Sequence, residues 1–329
     1  MGPYAAFFND AGRLRSGWRV GIFVIAYAIS MFLLGSLVRV LFVIGKSLPL
    51  VSKPLFADFV FRFVLLGSAL LAGWICNRWL EGLPWRALGL TFHSGWWWDL
   101  LVGSAIGAAS LAVATLIAYA AGGLHFSLSG SQFLLATLRS LTATAVLFVG
   151  GALAEEAMFR GYPLQTLTRA RLAWLAILLT SVPFAAIHLH NPNVVAGFTF
   201  ANTALAGVWL ATAYLRTRSL WFPLGVHWAW NWALGSVVGL PVSGMKLSNH
   251  PVLIAFDLGP AWLTGGSYGI EGGLACTIAL MISTLFIWRT RMVSATPEML
   301  KLTSEENPVK SGKLQFVVDS ERGSSDLSP

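Results

Sequence analysis

Eight long apolar stretches constrain the fold more than any other feature of this sequence. A helix that crosses the hydrocarbon core of a membrane needs about 20 predominantly apolar residues. Only 11% of the residues are charged, whereas soluble domains carry about 25%. The stretches of suitable length are 18–44, 59–80, 98–121, 133–166, 172–190, 194–215, 219–240 and 268–288. The sequence therefore predicts an all-α, polytopic membrane domain of about eight transmembrane helices within residues 1–291.

Arginine residues cluster in alternate connections between these stretches. We call these groups the arginine clusters: Arg13/Arg15/Arg19, Arg78/Arg86, Arg169/Arg171, Arg216/Arg218 and Arg289/Arg291. The intervening connections carry only Lys46, Lys53 and Lys246. Because basic connections stay in the cytoplasm, both termini are expected there. The net charge of +8 is thus a topology signal, and nucleic acid is not an expected partner.

The two ends of the chain predict an anchor and a tail. The apolar stretch after Arg19 is too long for a signal peptide and has no small-residue cleavage site, so a retained anchor helix is expected. Residues 292–329 are polar and mixed in charge, which predicts a disordered cytoplasmic tail. Cys76 and Cys276 lie in apolar stretches and indicate neither a disulfide framework nor a cysteine-based zinc site.

Three ionisable residues lie within two helical turns of each other in the fourth apolar stretch: Glu155, Glu156 and Arg160. An ionisable side chain at mid-bilayer costs about 2.5–3.5 kcal/mol on insertion scales. Residues four apart share a helix face, so Glu156 and Arg160 are predicted to pair. Glu155 points elsewhere and lacks that partner, which is the profile of a general base. The alternative is a purely structural ion pair between helices, with Glu155 at a wet helix end.

Two later stretches carry further polar residues. Phe184 and His188 are one helical turn apart, and so are His227 and Asn231. A single intramembrane histidine is often only a packing residue, but polar groups on three separate helices can meet in one intramembrane polar cavity. Pro183 is expected to kink or end the fifth helix. Such a break would help His188 to reach the depth of His227.

The other histidines are weaker candidates. His93, His125 and His250 are predicted to lie in solvated loops, and His190 at a loop or at the rim of the cavity. His190 is two residues from His188, so on a helix it points away from it.

A glutamate with two histidines and an asparagine can hydrolyse a peptide bond. Glu155 would take a proton from water, and Asn231 with His227 would stabilise the oxyanion. The same glutamate and histidines are also chemically suited to zinc. The sequence lacks the His-Glu-x-x-His signature of zinc proteases and the Gly-x-Ser-x-Gly elbow of serine hydrolases. Spacing alone leaves metal-free and zinc-assisted hydrolysis open.

In these motifs the chain resembles the CAAX protease and bacteriocin-processing family, also called the ABI family, which includes type II CAAX prenyl endopeptidases. The resemblance covers roughly 133–240 and rests on Glu155-Glu156-x-x-x-Arg160, Phe184-x-x-x-His188 and His227-x-x-x-Asn231, in that order. It implies an eight-helix intramembrane endopeptidase with Glu155 as the water-activating base. It also implies His188 and His227 as partners of that base and Asn231 as oxyanion support.

We therefore expect an integral protein of a bacterial cytoplasmic membrane that cleaves peptide or protein substrates entering from the membrane or the cytoplasmic side. Prenylated carboxyl ends, bacteriocin leaders and membrane regulators are all compatible substrates. A glutamic mechanism without a cofactor is favoured, with zinc as the alternative. The other two functions considered are an ion- or proton-coupled transporter and a catalytically silent membrane chaperone or immunity factor.

Overall fold

A computed structural model describes residues 6–9, 12–45 and 54–303 of the chain, and these residues form a mainly helical protein. The helices are α1 (Ser16–Ile44), α2 (Pro54–Cys76), α3 (Trp96–Ala120), α4 (Leu134–Glu156), α5 (Tyr162–Arg169), α6 (Ala173–His188), α7 (Ala196–Thr217), α8 (Trp221–Trp232), α9 (Ala261–Thr264), α10 (Leu274–Arg289) and α11 (Pro297–Thr303). Turns of π-helix extend three of them, at Asn77–Glu81, Ala157–Gly161 and Ala233–Val238.

Five apolar helical segments of the described chain are long enough to cross a membrane: Ser16–Ile44, Phe56–Glu81, Trp96–Ala120, Leu134–Arg169 and Gly197–Thr217. Two shorter apolar helices, Ala173–His188 and Leu274–Arg289, accompany them. The predicted all-α, polytopic membrane architecture fits these helices, and the number of eight spans stays a prediction. The last predicted span but one, 219–240, contains only the 12 residues of α8 and the π-turn that follows them.

One small sheet, which the sequence did not predict, joins two of the connections. Strand β1 (Leu124–Leu128) pairs antiparallel with β2 (Leu253–Asp257), so that Leu124 lies opposite Asp257 and Leu128 opposite Leu253. Leu124 is buried and His125 is exposed, as expected for a strand with one covered face. The sheet ties the connection before α4 to the long connection after α8.

Helices α3 and α8 pack with their backbones in contact, and glycine makes this possible. A Cβ atom on Gly103 or Gly107 of α3 would overlap backbone carbonyls of α8, and one on Gly225 of α8 would overlap the carbonyl of Leu100. Small residues allow such close approach between membrane helices. This contact fixes the position of α8, which carries His227 and Asn231.

The structure restricts two predictions, one about Pro183 and one about the tail. Helix α6 continues through Pro183 and ends at His188, so Pro183 does not end it. The predicted disordered tail begins with folded residues, because Val293 is buried and α11 buries Met299 and Thr303. The rest of the predicted tail, 304–329, lies outside the described residues.

Candidate active site

One cavity of ≈ 210 Å³ receives all four residues predicted to be catalytic. Glu155 comes from α4, His188 from the end of α6, and His227 and Asn231 from α8. These helices therefore bring together residues that are far apart in the sequence. Helix α6, which is continuous through Pro183, reaches the same cavity as α8.

Glu156 is the buried centre of the charged cluster. Its Oε1 atom accepts hydrogen bonds from Nη1 of Arg160 at 3.2 Å and from Nδ1 of His227 at 2.9 Å. Glu156 and Arg160 are both 0% exposed. The pair predicted from the i, i+4 spacing is present although Arg160 lies in the π-turn Ala157–Gly161 and Glu156 directly before it. His227 is a third partner that the spacing did not indicate.

The two adjacent glutamates contact the two nitrogens of one imidazole ring. A carboxylate accepts hydrogen bonds, so Nδ1 of His227 carries the proton shared with Glu156. Nε2 lies 3.7 Å from Oε2 of Glu155, too far for a direct hydrogen bond. The Glu155 side chain is 29% exposed, whereas that of Glu156 is 0% exposed. Glu155 thus faces the cavity, and Glu156 binds Nδ1 on the buried side of the His227 ring.

His188 is oriented by its own helix. Its Nδ1 atom donates to the carbonyl oxygen of Phe184 at 2.7 Å, since a carbonyl can only accept. This bond leaves Nε2 of His188 as the nitrogen available to a ligand. The centroids of the Phe184 and His188 rings are 4.6 Å apart. The guanidinium of Arg160 lies 4.7 Å from the centroid of the Phe184 ring. Phe184 therefore packs between the ion pair and the histidine.

Asn231 lines the cavity one turn after His227. The π-turn Ala233–Val238 begins two residues later. Each of the two helices that carry site residues in pairs, α4 and α8, is thus followed directly by a π-turn. Such turns are frequent at functional sites.

Glu271 is a cavity residue that sequence reasoning missed. It accepts hydrogen bonds from Nε1 of Trp230 at 3.0 Å and from the backbone N–H of Ser243 at 2.5 Å. Nδ2 of Asn202 donates to its backbone carbonyl at 2.8 Å. Burial raises the pKa of Glu271, and the hydrogen bonds from Ser243 and Trp230 offset this in part. Its one sequence signal was an acid in the glycine-rich segment 265–273 before an apolar helix.

Arg62 is the second cavity residue that was missed. Its Nε atom donates to Asp58 at 3.2 Å on α2, and its guanidinium lies against Gly151 of α4, one turn before Glu155. A Cβ atom on Gly151 would overlap Nη1 of Arg62, whereas one on Gly150 would only touch its Cβ at 3.9 Å. Gly151 is therefore what allows the cation to lie beside α4.

The other histidines do not line the cavity. The prediction that His93 is solvated was wrong, because it is 3% exposed and its Nε2 lies 3.4 Å from Oδ2 of the buried Asp99. His125 is exposed on β1, His190 is exposed beyond α6, and His250 is half-buried and stacked on Phe133.

Zinc fits this set of side chains poorly. Among the described residues, no group of three or more His, Cys, Asp or Glu side chains is close enough to hold a metal ion. A catalytic zinc site needs three protein ligands and an open position. Cys76 and Cys276 are free and buried.

One glutamate, two histidines and one asparagine line an internal cavity of this helical membrane protein. This set of side chains is the one expected of an intramembrane hydrolase site. Residues 137–233 match the model of the family described as type II CAAX prenyl endopeptidase Rce1-like. The match contains all three motifs and confirms the resemblance to CAAX proteases. This match supports a protease function in general. Comparisons with curated proteins and with solved structures gave no match.

Proposed function

We propose that this protein is an intramembrane endopeptidase in which Glu155 activates water without a metal ion. The observation that carries this proposal is that two glutamates approach the two different nitrogens of the His227 imidazole. Glu156 engages Nδ1 of His227 at 2.9 Å, and Glu155 faces Nε2 across 3.7 Å at the cavity wall. At this separation the two atoms make no direct hydrogen bond, so the carboxylate of Glu155 can engage a water molecule in the cavity.

Glu155 takes a proton from that water as its oxygen attacks the carbonyl carbon of the peptide bond. Nε2 of His188 accepts a hydrogen bond from the same water and orients it. When the C–N bond breaks, the proton held by Glu155 passes to the leaving amine. One C–O bond forms, one C–N bond breaks, and the carboxylate is regenerated.

The oxyanion of the tetrahedral intermediate is stabilised by α8. The amide N–H of Asn231 is one donor, and Nε2 of His227 is the second when it carries a proton. Glu156 then supports the positive charge of His227 from the opposite side of the ring. Donors fixed before the reaction act strongly in a site that excludes bulk water.

The substrates we propose are membrane-associated peptides, either prenylated or of the leader type. Phe148, Trp209, Leu210 and Leu280 give the cavity an apolar wall beside its polar groups, which suits a peptide segment bordered by apolar side chains. A location in the bacterial cytoplasmic membrane, with both termini in the cytoplasm, accords with the arginine clusters.

The experiment is the Glu155→Gln variant, which keeps the shape of the side chain and removes the base. General base catalysis contributes about 10²–10⁴-fold, so hydrolysis of a captured substrate should fall by that factor while the protein stays folded. The variant also serves as a trap, because substrate that binds to it is not cleaved. Cleavage at the wild-type rate would refute the role of Glu155.

A metal-dependent mechanism is tested on the same preparation. Under the proposed mechanism, activity survives a chelator and the purified protein contains no stoichiometric zinc. Loss of activity on chelation and recovery with zinc would replace the glutamic mechanism by a metal-assisted one.

A further inference from the structure

The ends of the helices that carry the arginine clusters are joined into one face by direct contacts. Glu81, in the π-turn after α2, pairs with Arg169 of α5 at 2.7 Å and with Arg19 of α1 at 3.5 Å. The start of α1, the end of α2 and the end of α5 therefore lie together.

The remaining arginine clusters belong to the same face. The backbone N–H of Leu220, between α7 and α8, donates to the carbonyl of Gly89 at 2.9 Å. Arg86 pairs with Glu298 of α11 at 3.6 Å, and Arg216 donates to the carbonyl of Val293 at 3.2 Å. We call this surface the basic face.

The other connections are joined to each other at the opposite ends of the helices. Besides the β1–β2 sheet, Asn193 donates to the carbonyl of Gly244 at 3.1 Å, and Ser140 and Ser248 share a hydrogen bond of 3.0 Å. We call this surface the loop face. Its described connections carry Lys246 and no arginine, and Arg139 lies near the start of α4 beside Ser140.

The cavity adjoins the loop face. His188 is the last residue of α6, which begins at Ala173 beside the basic face. A helix of 16 residues is about 24 Å long, so His188 lies far from the basic face. His227 lies only about 9 Å from the start of α8, so the cavity extends from the interior of the helix bundle to the loop face. Asn191, Ser243 and Glu271, which line the cavity, all belong to segments of the loop face.

Basic connections are retained on the cytoplasmic side, so the basic face is the cytoplasmic one. We propose that the cavity opens on the opposite, non-cytoplasmic face of the membrane and takes peptide segments presented on that face. The location of the cavity is independent of the chemistry, whereas the substrate clause rests on the proposed peptidase function. This side is opposite to the cytoplasmic entry expected from the sequence.

Two matched serine-to-cysteine variants test the orientation. Ser127 of β1 is exposed on the loop face, and Ser294 after α10 is exposed on the basic face. The full-length protein, in right-side-out membrane vesicles, is treated with a membrane-impermeant maleimide. Wild-type protein is the blank, because Cys76 and Cys276 are buried. We expect Ser127→Cys to react in sealed vesicles and Ser294→Cys to react only after permeabilisation.

A third variant, Asn191→Cys, tests the cavity itself and should react from the same side as Ser127→Cys. The same labelling is expected when Glu155→Gln is added, because access does not require hydrolysis. Reaction of Ser294→Cys but not Ser127→Cys in sealed vesicles would overturn the proposal, as would labelling of Asn191→Cys from the cytoplasmic side. Correct labelling without any peptide cleavage would leave the orientation standing and count against the peptidase function alone.

Discussion

Oε1 of Glu156 lies 2.9 Å from Nδ1 of His227, although the two residues are 71 positions apart in the sequence. The same oxygen also accepts from Arg160 at 3.2 Å. One buried carboxylate therefore connects the ion pair within α4 and its π-turn to the histidine of α8. This relationship makes Glu156 the residue on which the geometry of the site depends, while Glu155 stays open to the cavity.

The first prediction concerns this buried carboxylate. Glu156→Gln should destabilise the protein because it leaves the guanidinium of Arg160 buried without its counter-charge. Removing one partner of a buried ion pair costs about 3–5 kcal/mol. Thermal unfolding of the purified protein in detergent measures the loss.

Two controls accompany this variant. Glu155→Gln should cost far less stability, because that side chain is 29% exposed and lies 3.7 Å from Nε2 of His227, beyond hydrogen-bond distance. Arg160→Met added to Glu156→Gln should cost less than the sum of the single changes, because neither charge is then left alone. Additive losses would show that the two residues act independently.

The second prediction concerns the oxyanion. Asn231→Ala should lower kcat by about 10²–10³-fold with little change in KM, as expected when one oxyanion donor is lost. Asn231→Asp removes the amide donor with almost no change in volume, so it should show a similar loss. A variant whose KM rises while kcat is unchanged would instead assign Asn231 to substrate binding.

The sequence predicted the parts of this site that depend on local spacing. Glu156 and Arg160, and the pairs Phe184/His188 and His227/Asn231, each follow from four-residue separation on a helix. The contact of Glu156 with His227 did not follow, because it depends on how α4 packs against α8. Nothing in spacing identified Arg62 on α2 either, since its place is set by the absence of a side chain at Gly151.

Loops were the least predictable part of the fold. Glu271 reaches the cavity through a turn in which Gly265 and Gly269 adopt φ values of +83° and +93°. The hydropathy of the sequence does not predict the conformation of such a turn. His93 lies in a loop, as predicted, but it is buried, with its Nε2 atom 3.4 Å from Oδ2 of Asp99 in α3. The β1–β2 pair joins segments more than a hundred residues apart, so neither strand indicates its partner.

The third prediction compares two neighbouring glycines. Gly151→Ala should displace the guanidinium of Arg62 from the cavity wall, because the new methyl group would overlap Nη1. Gly150→Ala is the matched control, since its methyl group would meet the Cβ atom of Arg62 at an ordinary 3.9 Å. Both changes raise helix propensity by about 0.8–1.0 kcal/mol.

We expect a change in kcat/KM for Gly151→Ala and none for Gly150→Ala. Arg62→Gln should reproduce the effect of Gly151→Ala, and combining the two should add little, because both remove the same cation from the same place. Equal effects of the two alanine variants would instead point to α4 itself, not to Arg62.

The last prediction concerns pH and Glu271. Because burial raises its pKa, the folded protein holds the proton of this carboxyl more tightly than the unfolded chain, where the pKa is about 4.3. Its contribution to stability is therefore fully present below that value and is lost as pH rises through the folded-state pKa. Glutamine at position 271 does not titrate. As pH rises across this window, the unfolding free energy of the wild type should therefore fall relative to that of Glu271→Gln. Thermal unfolding of both proteins over a pH series measures it. A difference that does not change with pH would mean that the hydrogen bonds from Ser243 and Trp230 fully offset burial.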